Sequence, residues 1–212
     1  MKIRLTEVAK GSALPTTSVT FSSGKAVLIE AETERRPTVL SLIASGRMRP
    51  DSGTVTIDGK IDYGRMRAAI ALVDAPGVSE PASDVTLSGV VAEELMFAGK
   101  PVRPSSVRQT LAQLGASQYA KTALADVPPT LRIRILCELA LCRPGVQGVV
   151  LTSPDRHGGE PTEWWDFANE MAERGHAVLV VTGREVAAAL PPKKRKKNEK
   201  KKRAAKTGKK SS

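Results

Sequence analysis

The sequence predicts an α/β fold with a parallel core sheet flanked by helices, an antiparallel β-rich start and an inserted helical segment. Three observations carry this. Residues 146–151 and 177–181 are continuous apolar runs, the pattern of strands buried on both faces. Short β runs separated by turn residues, with one helix among them, make a β-rich start over the first 60 positions. Residues 86–125 read as helices in succession.

Taken in order, residues 2–8 alternate and predict a strand. Strands at 19–21 and 26–29 follow, separated by Ser22-Ser23-Gly24, which reads as a hairpin-like turn. At 37–45, Val39, Leu40, Leu42 and Ile43 give one apolar helical face. A Pro50-Asp51-Ser52-Gly53 turn leads to a strand at 54–57. A β run at 69–73 is broken by Asp74-Ala75-Pro76-Gly77. Helices are expected at 87–97 and 105–114, with a shorter piece about 118–124; Lys100-Pro101 and Arg103-Pro104 punctuate them. Leu87-Ser88-Gly89 reads as a helix N-terminus capped by Ser88. Pro128-Pro129 opens a helix over 128–142, and helices at 162–174 and 184–190 flank the second apolar run. Pro191-Pro192 ends the last one. Trp164-Trp165 predicts one core residue and one partly exposed.

At 212 residues the chain suits one compact α/β domain. No apolar run reaches membrane-spanning length, and the N-terminal residues show no secretory signal. Cys137 and Cys142 fall in one helix on different faces, which predicts reduced, buried thiols. His157 is expected at the surface and His176 just before a strand. Neither has an acid or cysteine at metal-ligand spacing, so no metal is expected.

Charge is unevenly placed. Twelve of the 33 Lys/Arg and one of the 22 Asp/Glu lie in 193–212, which leaves 21 of each before it. The body is formally neutral and the net +11 belongs to the tail. Residues 191–212 hold no apolar side chain larger than the prolines and alanines, so they predict a disordered tail. Lys193, Lys194, Arg195, Lys196 and Lys197, then Lys200, Lys201, Lys202 and Arg203, form a polyanion-binding run. Such a run attracts nucleic acid by counterion release, or anionic lipid, without reading sequence. No aromatic residue lies among them to stack on bases.

The strand at 26–29, the loop at 30–36 and the helix at 37–45 have the frame of a phosphate-binding loop. Such a loop needs glycines for close backbone approach, a Lys for the β/γ-phosphates and a Ser/Thr for Mg²⁺. Here Glu30, Thr33 and Arg35 replace glycines, Arg36 replaces the Lys and Pro37 the hydroxyl. Thr38 survives one residue beyond the metal position. With the PDSGTVTIDG segment at 50–59, this order resembles the ATP-binding cassette (ABC-type) nucleotide-binding domain of the P-loop NTPase superfamily, over residues 2–190. The helix with Arg132-Ile133-Arg134-Ile135 resembles the one that follows the family signature, whereas Val127-Pro128-Pro129-Thr130 does not match the signature itself. At the Walker B strand, Thr152 stands for the Mg²⁺-binding Asp and Ser153 for the general-base Glu; only Pro154 remains. Asp74-Ala75 stands where a Gln is usual, and Gly183 where a His is usual. No aromatic residue occupies the adenine-stacking segment at 8–12.

The resemblance therefore implies a degenerate cassette over 1–190, with a helical subdomain about 86–127. It implies no catalytic residues and no ATP or Mg²⁺ cofactor. The expected role is a cytoplasmic scaffold or regulatory subunit of bacterial type, peripheral to membrane or nucleoid. Its protein partner would be a membrane permease or a second cassette subunit, and its tail would contact nucleic acid or anionic lipid. Two alternatives stand beside this: an ATP-binding transporter subunit whose degenerate site pairs with an active partner, and a nonspecific nucleic-acid-associated protein.

Overall fold

The structure is a computed structural model and describes residues 1–31 and 36–190. The loop residues Thr33 and Arg35 and the whole basic tail, Lys193 to Arg203 included, lie outside the described residues. Strands β1 (Lys2–Lys10), β2 (Leu14–Ser22) and β4 (Ser52–Ile57) form an antiparallel sheet in the order β2-β1-β4. Strands β3 (Lys25–Glu30), β5 (Ile70–Val73), β6 (Gly148–Thr152) and β7 (Ala177–Thr182) form a parallel sheet in the order β3-β7-β6-β5.

The apolar runs are buried because the parallel sheet is covered on both faces. Every residue of β6 and β7 is withdrawn from water. Val149, Leu151, Val178 and Val180 face a core made with α3 (Leu87–Phe97), α5 (Pro129–Leu141) and α6 (Pro161–Glu173). Val150, Leu179 and Val181 face the other way, toward α1 (Arg36–Ala44) and the antiparallel sheet. This is the period-two alternation of a strand with two apolar neighbours. The helical arm comprises α3, α4 (Pro104–Gln113) and single 3₁₀ turns at Ser117–Tyr119 and Leu124–Asp126. Its Leu87, Val91, Leu95 and Leu111 join the same core as α5.

Several expectations are corrected. Ser22-Ser23-Gly24 does not make a hairpin: β2 pairs with β1, β3 pairs with β7, and Gly24 N–H donates to the His176 carbonyl at 3.1 Å. The turn transfers the chain between sheets. A helix α2 (Tyr63–Ala69) precedes β5, capped by Asp62 Oδ1 accepting from Arg65 N–H at 2.8 Å. The helix takes Ala69, so β5 starts at Ile70. Ser52 and Gly53 belong to β4 rather than to a turn, with Ser52 opposite Ala9. Gly53 is required there, since a Cβ would lie 2.3 Å from the Glu7 carbonyl oxygen and φ is +78°. The helical piece near 118–124 resolves into the two 3₁₀ turns. Thr86, not Ser88, caps α3 by accepting from Gly89 N–H at 3.2 Å. Cys137 is buried but Cys142, just past the end of α5, is exposed. Trp164 is buried and Trp165 partly so, as their pairing in one helix predicts.

Candidate functional site

In open parallel sheets the ligand crevice lies beyond the carboxyl ends of the strands. Here that edge is set by Glu30 at the end of β3, Thr182 of β7, Thr152 of β6 and Asp74 just after β5. Glu30 is exposed, while Arg36, Pro37 and Thr38 make the first turn of α1, each partly exposed. Pro37 suits a first helical turn because no hydrogen bond is lost there. Arg36 Nε is buried without a hydrogen-bond partner.

Several polar side chains along this edge pair with one another. Thr152 is fully buried and its Oγ1 donates to Ser41 Oγ on α1 at 2.8 Å. Ser153 adopts a left-handed backbone, φ 46° and ψ 56°, and its N–H donates to the Val181 carbonyl at 2.8 Å. A 3₁₀ turn at Pro154–His157 follows. It brings Asp155 back over β7, where its Oδ1 accepts from Thr182 Oγ1 at 2.7 Å. An open cleft of about 330 Å³ beside this turn is lined by Ala31, Pro37, Ser153, Asp155, Gly183 and Glu185, among others. Arg184 lies in its wall, 3.8 Å from Glu30. Thr152 and Ser153 offer hydroxyls, which cannot act as a carboxylate base near neutral pH. The carboxylates that line the cleft, Asp155 and Glu185, would oppose a triphosphate.

The most heavily charged part of the edge was not legible as a site. The Asp74 carboxylate is wholly buried and has φ +55°. Its Oδ1 accepts from Arg132 Nη2 of α5 at 2.7 Å. Arg156 Nη2 lies 3.0 Å from the same oxygen and 2.9 Å from Glu80 Oε1. His157 Nε2 lies 2.9 Å from Asp74 Oδ2 and 2.9 Å from Arg156 Nε. Burial alone would raise the Asp74 pKa. Hydrogen bonds from His157 and Arg132, with the charges of Arg132 and Arg156, outweigh it and hold the carboxyl below its ordinary range. His157 is therefore not a solvent-facing residue with no acid in reach; the turn after β6 folds it onto Asp74. Asp74, Glu80 and His157 come close enough to share a cation. Arg156 already lies between the two carboxylates, and Arg132 adds a second positive charge.

The cluster ties the end of β5 to α5 and to the turn after β6. It borders a groove of about 170 Å³ between arm and sheet, lined by Val73, Val78, Pro81, Leu136 and Ala140, with Arg47 and the Glu94–Arg143 pair at its rim. Burial first, then the charges of Arg143 and Arg67, pushes the Arg47 pKa down. Arg47 Nη1 donates to the Ile70 carbonyl at 2.9 Å.

These features define an α/β chain with the architecture of an ATP-binding cassette: a parallel core sheet, an antiparallel sheet at its side and a helical arm. Comparison with solved structures places it there. It is similar to a bacterial ABC transporter cassette solved as a dimer, at TM-score 0.65 and 19% identity over 88% of this chain and 90% of that one. It is also similar to a nucleotide-free ATP-binding cassette from an ABC transporter, at 0.63 and 16% over 89% and 84%. A third is a putative ABC transporter ATP-binding protein from Pyrococcus furiosus, at 0.61 and 13% over 87% and 92%. No family model matches the chain, and no curated protein matches it in sequence. The shared property is the cassette fold.

Proposed function

We propose that the chain is a cassette-fold subunit that acts through protein contacts and does not hydrolyse ATP. One observation carries this reading: Thr152, Thr182 and Asp74, along the carboxyl edge of the parallel sheet, are each engaged by a side chain of this same chain. Thr152 is spent on Ser41, Thr182 on Asp155, and Asp74 on two arginines and a histidine. Among the described residues, the carboxylates Asp155 and Glu185 line the remaining cleft, with Arg184 in its wall. The docking surface in this reading is the groove between arm and sheet, where Val73, Val78, Leu136 and Ala140 lie beside Arg47 and the Glu94–Arg143 pair. The partner is a membrane permease or a second cassette subunit. The basic tail adds a nonspecific contact with a polyanion, and the protein works in the cytoplasm at the membrane or nucleoid.

A second reading is favoured by the extent of the likeness, which spans nearly all of the described chain. In it the subunit binds ATP at a weakened site completed by an active partner. Titration of a fluorescent ATP analogue, with and without Mg²⁺, separates the two. The first predicts no saturable signal. Micromolar, Mg²⁺-dependent binding favours the second.

A further inference from the structure

Five large hydrophobic residues among those described are strongly exposed, and three of them fall within seven positions at the end of α3. Met96 is 60% exposed, Phe97 56% and Val102 45%. Lys100 and Arg103, also exposed, are interleaved with them. From Leu95 to Ala125 the sequence holds Lys100, Arg103, Arg108 and Lys121 and no Asp or Glu. The two acids just before this stretch differ. Glu94 is held by Arg143, whose Nη2 and Nε donate to it at 2.7 and 3.1 Å. Glu93 is exposed and opposes the positive potential. Arg143 lies over the Phe97 ring at 5.3 Å, its charge already matched by Glu94.

The connecting segment is also built rather than loose. Gly99 takes φ +67° to end α3, and Lys100 N–H donates to the Leu95 carbonyl at 2.9 Å. Pro101 and Pro104 fix φ on either side of Val102. A preformed projection loses little conformational freedom on binding.

Interleaved apolar and basic side chains need a partner that receives both. Nucleic-acid phosphates would accept Lys100 and Arg103 but offer nothing to Met96 and Val102. An anionic bilayer surface accepts both: apolar side chains enter the headgroup–acyl boundary while lysines and arginines hold the lipid phosphates and carboxylates. We propose that the α3–α4 turn is a membrane-surface contact that inserts Met96, Phe97 and Val102 into an anionic bilayer, with Lys100 and Arg103 at its headgroups. This goes beyond a tail that attracts any polyanion, and it holds whether or not the chain binds ATP.

The test is co-sedimentation of the full chain with phosphatidylcholine vesicles and with vesicles that also contain phosphatidylserine. The expected result is binding to the second kind alone, weakened about five-fold by each of Lys100→Ala and Arg103→Ala. Phe97→Ser is expected to weaken it roughly ten-fold or more, with an unchanged melting temperature. If Phe97→Ser disturbs the fold, Val102→Ser in the irregular segment carries the same test. Binding that survives both serine variants unchanged would overturn the proposal, as would failure to bind either vesicle. So would equal affinity for duplex DNA with the same sensitivity to the serine variants, since that makes the surface a nucleic-acid site.

Discussion

Arg132 Nη2 meets Asp74 Oδ1 at 2.7 Å with both side chains almost wholly withdrawn from water, 3% and 0% exposed. The pair joins α5 to the residue after β5, the point where the chain leaves the sheet for the helical arm. A buried pair of this kind is weak evidence of net stability, but losing one partner strands the other's charge.

Arg132→Met should therefore cost about 3 kcal/mol or more in urea unfolding. Asp74→Asn keeps the left-handed backbone and an acceptor but strands the charges of Arg132 and Arg156, so it should cost at least as much. The double variant should recover part of the loss. Additive losses would mean that the two side chains are not coupled.

The Asp74 carboxyl titrates below its ordinary value, so its contribution to stability has a defined sign. That contribution is present above the unfolded-chain value of about 3.9 and is lost as pH falls through the lower folded value. Unfolding free energy measured from pH 5 downward should fall more steeply for the natural chain than for Asp74→Asn. Parallel curves would contradict the assignment. Asp51 and Asp58 shift in the same direction but are exposed, so screening leaves them a small part.

Ser41 and Thr152 form a neutral buried pair, and the order of losses follows. Ser41→Ala leaves the Thr152 hydroxyl unpaired in the core and should cost about 1–3 kcal/mol. Adding Thr152→Val should restore much of it. Thr152→Asp, which supplies the carboxylate usual in a cassette, should destabilise more than either, because that position is fully buried. Thermal unfolding of the four chains checks the order.

Thiol chemistry distinguishes the two cysteines. Burial, reinforced by Asp74 and Glu138, pushes the Cys137 thiol far above its ordinary pKa, so it should be inert. Cys142 is exposed. Maleimide labelling followed by mass spectrometry should give one adduct in the native chain and two after denaturation. Two adducts in the native chain would show that α5 opens readily.

The parts of the fold written in apolar periodicity were legible. Val149, Val150 and Leu151 read as a two-faced buried strand and are one. The helix with Arg132-Ile133-Arg134-Ile135 puts Arg132 inside and leaves Arg134 to pair with Glu170 at 2.7 Å. Helix α2 left no such signal, since its seven residues bury only Met66 and Ala69. Ser22-Ser23-Gly24 misled because a tight turn looks alike whether its strands pair or part. The Asp74 cluster was hidden for a different reason: its arginines and histidine come from elements remote in sequence. A signal was present, however. An acid at the end of a wholly apolar strand must find a partner or lose its charge.

The central proposal, that this cassette-fold chain does not bind ATP at the carboxyl edge of its parallel sheet, is tested most directly by thermal unfolding with and without about 1 mM Mg-ATP. A micromolar ligand at that concentration stabilises by about 4 kcal/mol. For a domain of this size that is a rise in Tm of roughly 10 °C. The account predicts no rise. A shift of that size that needs Mg²⁺ would contradict it and return the chain to the nucleotide-binding subunits.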